Sequence, residues 1–323
     1  MLSRIAESLY WVGRYVERAE DTARILDVHT HRRLEDPSAD EDADCRILLG
    51  IMGAAVPEGP VTATTLLDVL AFDTADAGSI AGALYAARDN ARGARDAISS
   101  EMWQCLNATY NALPGILARA GGSGPHAFFD YVKERAAILA GLADSTMSRD
   151  DGWRFLVLGR SLERVDMTAR LLTATMGEGG GLTEWVTTLR CCSAHEAFLR
   201  TYRRGVEADL VAEFLLLDRL FPRSAFHALG VAERCLAELQ PSAGRAGTDD
   251  DARRILGRAR TELEFRQVQE LTADLCAHLR SLQAACSEAG EAVARRYFRQ
   301  SAPLEWSLEG VGDRALTGGG DRA

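Results

Sequence analysis

Apolar residues recur every three to four positions through most of the chain, the spacing of a buried stripe on an α-helix. The clearest run is residues 3–33. On its helical wheel Trp11, Val12, Tyr15, Val16, Ala19, Ala23 and Leu26 share one face, while Arg14, Glu17, Arg18, Glu20, Asp21 and Arg24 occupy the other. Ser3 is placed to cap its start. The same period predicts helices over 43–55, 61–72, 77–113, 125–146, 149–176, 182–199, 203–219 and 223–240, and a long helical stretch over 252–298. Ser148 and Asp151 have capping-box spacing ahead of the middle helix. Gly177 to Gly181 and Pro241 to Asp251 break the pattern, and 302–323 reads as a frayed tail. No period-two alternation marks a strand, so the expected class is all-α.

The pattern also repeats. Leu9–Leu26, LYWVGRYVERAEDTARIL, aligns without gaps on Phe155–Leu172, FLVLGRSLERVDMTARLL, with eight of 18 positions identical. A weaker echo pairs Asp73, Ser79, Ala83 and Leu84 with Asp218, Ser224, Ala228 and Leu229. The offset is 146 residues in the first block and 145 in the second. Two blocks at nearly one offset predict a duplicated helical unit rather than two helices that happen to look alike. The expected organisation is a helical bundle of two tandem copies, 1–147 and 148–301, packed as one globular domain, with 302–323 as a tail. Isolated helices of ordinary length are marginal in water, so each copy would be stabilised by burying its apolar stripe against the other. Gly13 and Gly159, kept at equivalent places despite a cost of about 1 kcal/mol relative to alanine, point to a close approach.

Composition narrows the picture little. Hydrophobic residues are 47%, charged residues 26% and aromatics 7%, ordinary for a globular chain. The net charge of -10 disfavours non-specific binding to nucleic acid or anionic membranes. Seven cysteines without a Cys-x-x-Cys pair are expected to be reduced thiols of a cytoplasmic protein. Neither a signal-peptide core nor a membrane-spanning run is evident.

The informative chemistry is a repeated charged ladder. Arg14, Glu17, Arg18, Glu20 and Arg24 recur as Arg160, Glu163, Arg164, Asp166 and Arg170. Glu20/Arg24 and Asp166/Arg170 are i,i+4 pairs of the kind that stabilise solvated helices. On a free surface such charges drift, so their retention favours fixed partners in a buried network between the copies. A ligand site is the alternative, with Glu17 and Glu163 sharing a cleft flanked by arginines that could do acid–base work or bind anions. No Glu-x-x-His, His-Glu-x-x-His, phosphate loop or Gly-x-Ser-x-Gly elbow occurs, so no metal or cofactor is expected. Glu101 and Trp103 are secondary candidates, better read as a surface acid beside a core ring. His195-Glu196 near Cys191-Cys192 reads as a partly buried histidine. Residues 253–266, rich in Arg and Glu, read as a solvated or subunit-facing side.

The opening MLSRIAESLYWVGRYVERAEDTARIL, the later GRSLERVDMTARLL and the ISSEMWQCLN of 98–107 resemble the bacterial alpha-E domain family over about residues 1–300. Glu17, Arg18, Glu101, Trp103, Glu163 and Arg164 match its motif positions. The resemblance implies a helical protein encoded beside, or fused to, a circularly permuted ATP-grasp protein, often with a transglutaminase-like protein nearby. It thereby implies an accessory role in peptide or amide ligation and modification, with a peptide as a candidate substrate. The competing expectation is an enzyme using the Glu/Arg-lined cleft for amide or peptide chemistry. The Asn-Pro-x-Ser turns of the family read here as Asp76-Ala77-Gly78-Ser79 and Phe221-Pro222-Arg223-Ser224.

Overall fold

The computed structural model describes residues 1–35, 40–177, 181–241, 245 and 247–298. Among them the chain is all-helical, with no strand. In order come α1 (Ser3–Glu35), α2 (Glu41–Met52), α3 (Ala63–Leu67) continued by a π-turn (Asp68–Phe72), α4 (Ile80–Gly93), α5 (Ser100–Ser123), α6 (His126–Thr146) and α7 (Asp151–Gly177). The second half holds α8 (Leu182–Cys191), α9 (His195–Tyr202), α10 (Ala208–Leu217), α11 (Ala225–Leu239), α12 (Asp251–Phe265), α13 (Val268–Ala273) and α14 (Leu275–Tyr297). No helix among the described residues is long and apolar enough to cross a membrane.

Three stretches expected as single helices are divided, each at a local cap that apolar periodicity does not register. The 77–113 stretch breaks at Ala94 and a short 3-10 turn. Ser99 then caps α5 by accepting from Met102 N at 3.1 Å. That helix continues past Pro114 to Ser123. The 182–199 stretch breaks at Ser193, whose φ of 54° takes the backbone into the left-handed region. The 252–298 stretch separates into α12, α13 and α14, with Gln267 and Asp274 capping the second and third. At the start of α7 the cap is Asp150, not Ser148: its Oδ1 accepts from Gly152 N at 2.9 Å and Trp153 N at 3.3 Å. The proposed tail at 302–323 lies outside the described residues.

The two faces of the α1 wheel do not divide into core and solvent. This helix is central and packs on α4, α6, α7 and α8. Glu17 and Asp21 on its polar side are buried, while Trp11, Tyr15 and Val16 on its apolar side are only half-buried. Where neighbouring helices cover the polar side of a helix, the charges there must find partners inside.

The second central helix, α7, packs on α1, α2, α8, α11 and α14. Outside the central pair, α5 bridges α4 and α6, and α12 bridges α11 and α14. α1 and α7 cross backbone to backbone at their glycines. A Cβ added to Gly13 would lie 2.0 Å from Leu156 O, and one added to Gly159 would lie 2.1 Å from Tyr10 O.

Ahead of α4 and α11 the chain makes the same turn. Ser79 Oγ donates to Asp73 O and Ser224 Oγ to Asp218 O. The same hydroxyls then cap their helices, accepting from Gly82 N at 3.0 Å and His227 N at 3.1 Å.

Candidate functional site

The α1–α7 crossing positions the charged side chains. One turn beyond the glycines, Glu17 and Glu163 each enter the interface, and each is 2% exposed. Glu163 accepts from Arg14 Nε and Arg18 Nε, both at 2.6 Å, and from Arg18 Nη2 at 3.2 Å. Glu17 accepts from Arg164 Nε at 2.6 Å and Nη2 at 2.9 Å. The pairing is reciprocal: each Glu-Arg dipeptide sends its arginine to the other's glutamate. The stems of Arg14 and Arg18 lie along α1, and their guanidinium carbons sit 5.7 Å from the Trp11 ring centre and 5.9 Å from that of Tyr15. These rings shield one side of the ion pairs from water.

The two halves of the network are not equal. Arg223, in the turn before α11, comes within 3.1 Å of Glu17, 2.6 Å of Asp21 and 2.5 Å of Glu20. It is the residue that sequence reasoning missed, although the departure in that turn signalled it: Gly78 stands at the aligned place in the first turn. Arg160, aligned with Arg14, makes no ion pair among the described residues. It borders a cavity of about 40 Å³ with Glu17, Arg164, Met102 and Leu139.

Arg24 and Arg170 stay on their own helices, bonded to Glu20 at 2.7 Å and Asp166 at 2.8 Å, with Arg170 also reaching Ile51 O at 3.2 Å. They are outside the crossing that joins Arg14, Glu17, Arg18, Glu163 and Arg164. Glu101 is exposed, and Trp103 is half-buried beneath the guanidinium groups of Arg88 and Arg95. From α5 it is Met102, between them, that reaches the cavity beside Glu17. His195 is half-buried, its Nδ1 3.9 Å from Glu196. On α12, Arg260 binds Glu233 and Glu264, each at 2.7 Å.

Electrostatics follow from this geometry. Burial works against ionisation of Glu17, but Arg164 and Arg223 outweigh it and hold its pKa down at about 2. Burial is likewise outweighed at Glu163 by Arg14 and Arg18, and its pKa is lowered. Three carboxylates compete for Arg223, which keeps its proton, and the shortage falls on Asp21. Burial, reinforced by Glu17 and Glu20 against the pull of Arg223, raises Asp21 from 3.8 to about 7. Between those values the folded state holds a proton that the unfolded chain has released, so stability falls as pH rises. Asp21→Asn should abolish that slope. Urea midpoints measured from pH 4 to 8 are expected to converge on those of the variant at the acid end, and parallel curves would contradict this.

Beside the crossing, a groove of about 670 Å³ runs between α1, α7 and α14, lined by Tyr10, Trp11, Arg14, Arg170, Arg280 and Phe298. Its volume suits a small ligand, yet Arg14 and Arg170 present there already hold Glu163 and Asp166.

A family model described as a predicted alpha-helical domain with a conserved ER motif matches residues 1–298. Uncharacterised proteins of Mycobacterium bovis and Mycobacterium tuberculosis are 26% identical over 281 residues, covering 78% of this chain and 31% of theirs. The chain thus spans about a third of the length of the curated relatives it matches. No solved structure matches.

Proposed function

The chain belongs to the Alpha-E family, and from that premise we propose that it is a non-catalytic helical partner in a peptide-modification system built around an ATP-grasp ligase and a transglutaminase-like protein. The observation that carries this reading is the saturation of the two buried glutamates at the crossing. Glu17 and Glu163 are each held by two arginines at the α1–α7 crossing. A carboxylate with a pKa near 2 is a poor general base at neutral pH. The cavity touching Glu17 has room for a few waters, not for a peptide. A catalytic cleft that used Glu17 or Glu163 would therefore lack an available base at those two residues, and would lack space for a peptide beside Glu17.

We read the ER motif as this reciprocal clamp. Four Glu-Arg dipeptides occur, at 17–18, 134–135, 163–164 and 233–234. Glu134 is exposed and Glu233 half-buried, so the buried pair is Glu17 and Glu163. The same clamp supports the duplication, with units at 1–147 and 148–301 joined as one domain. So do the main neighbours of α1 (α4 and α6), which answer those of α7 (α11 and α14), and the matching Ser79 and Ser224 caps.

The partner assignment rests on the family resemblance. Tagged protein recovered from its native host after crosslinking should bring down an ATP-grasp or transglutaminase-like protein, identified by mass spectrometry. Recovery of neither would count against the accessory role.

A further inference from the structure

We propose that Asp27, His31 and His126 form a binding site for a divalent transition-metal ion of the zinc type, further along α1 from the Glu/Arg clamp. Asp27 and His31 are one turn apart on α1, so their side chains share a face. His126 is the first residue of α6, which packs on α1 and delivers the second imidazole to that face. One ligand atom from each of the three residues lies within 4.8 Å of the others. Asp27 Oδ1 is 2.8 Å from His126 Nδ1 and 3.4 Å from His31 Nδ1. The imidazole centres are 4.3 Å apart. Seating an ion with bonds of about 2.0–2.2 Å requires Asp27 Oδ1 and His126 Nδ1 to open slightly and the His31 imidazole to present its Nε2 to them.

The surrounding contacts orient the donors as metal sites require. Lys133 Nζ donates to Asp27 Oδ2 at 2.6 Å and to Asp130 Oδ1 at 2.9 Å, which turns Oδ1 toward the imidazoles. His31 Nδ1 lies 2.8 Å from Asp27 O. A carbonyl only accepts, so that bond puts the proton on Nδ1 and leaves the lone pair on Nε2, the arrangement seen in metal-bound histidine. At His126 the ion takes the place of the proton shared with Oδ1, and the other ring nitrogen carries it. His31 is 59% exposed, which gives a path from solvent. Two histidines and one carboxylate suit zinc, cobalt(II) or nickel(II) rather than magnesium or calcium. With three protein ligands, further positions stay open to water or an added ligand. The Lys133 ammonium, only partly offset by Asp130, argues for micromolar rather than tighter binding. No local motif announces the site, because its third ligand is 95 residues from the second.

The test uses the untagged full chain, with Zn²⁺ followed by calorimetry and Co²⁺ by visible absorption. One ion per chain is expected, with micromolar affinity for Zn²⁺ and the ligand-field bands of a four- or five-coordinate site for Co²⁺. His31→Ala and His126→Ala should each weaken binding about tenfold or more. Circular dichroism should stay unchanged, since neither imidazole is buried in the core. Asp27→Asn should do the same to the ion while keeping the side chain's shape. Absence of saturable binding overturns the site, as does binding that survives the His31/His126 double substitution and so belongs to the cysteines or another group.

Discussion

Gly13→Ala and Gly159→Ala are each expected to destabilise the protein by about 3 kcal/mol, the upper end of the cost of overpacking a core. Helix propensity alone predicts the opposite sign, a gain of up to about 1 kcal/mol for replacing a helical glycine with alanine. The clash decides. The new methyl would stand 2.0 Å from Leu156 O in one case and 2.1 Å from Tyr10 O in the other. Both obstacles are backbone atoms of the opposing helix, which cannot rotate away as a side chain would. The helices must separate, and separation loosens the ion pairs one turn further on. Gly50, inside α2 with nothing within 4 Å of a built Cβ, supplies the control: Gly50→Ala should be neutral or mildly stabilising. Urea denaturation of the three variants checks the ordering. Equal midpoints for Gly13→Ala and Gly50→Ala would mean that α1 and α7 do not meet at these residues.

Glu163→Gln should cost about 3 kcal/mol at neutral pH, because removing one member of a buried ion pair leaves its partners uncompensated. Arg14 and Arg18 both depend on this carboxylate, and among the described residues Arg14 is otherwise hydrogen-bonded only to the Tyr10 hydroxyl at 3.3 Å. Glu17→Gln should cost less. After that change Arg223 keeps Asp21 and Glu20, and Arg164 keeps Pro222 O at 3.2 Å. Acid should erase the difference between wild type and Glu163→Gln. The folded-state pKa of Glu163 lies below the ordinary 4.5, so its contribution is present above that value and is lost as pH falls through the depressed one. Denaturant titrations at pH 7 test the ranking, and a series at falling pH below 4.5 tests the progressive convergence. Replacing Arg14, Arg18 and Glu163 together by methionine should recover much of the loss, since a full apolar replacement strands no charge. A Glu163→Gln protein as stable as wild type would remove the clamp from the account of this fold.

Much of this was legible before any fold was known. The 3.6-residue period carried the helical class, because an amphipathic stripe is a local property of consecutive residues. The repeated Gly13/Gly159 and Glu-Arg positions also marked α1 and α7 as special, since charges and glycines kept at matching places imply a shared constraint. Helix ends were less legible. Ser99, Asp150, Gln267 and Asp274 stop or start helices through single side-chain bonds that leave the apolar period intact.

Tertiary structure alone decided which polar face was inside and who paired with whom. The wheel of α1 put Glu17 and Asp21 on its polar face without saying what covers that face; enclosure by neighbouring helices buries both. Arg223 and Arg160 exchange their expected importance because a turn some 200 residues from α1 projects a guanidinium between Glu17, Glu20 and Asp21. Asp27, His31 and His126 meet for the same reason. Sequence pattern reports what each segment can do along its own axis. Contacts across the crossing depend on how rigid helices come to rest against one another, and that information is spread over every packed surface in the chain.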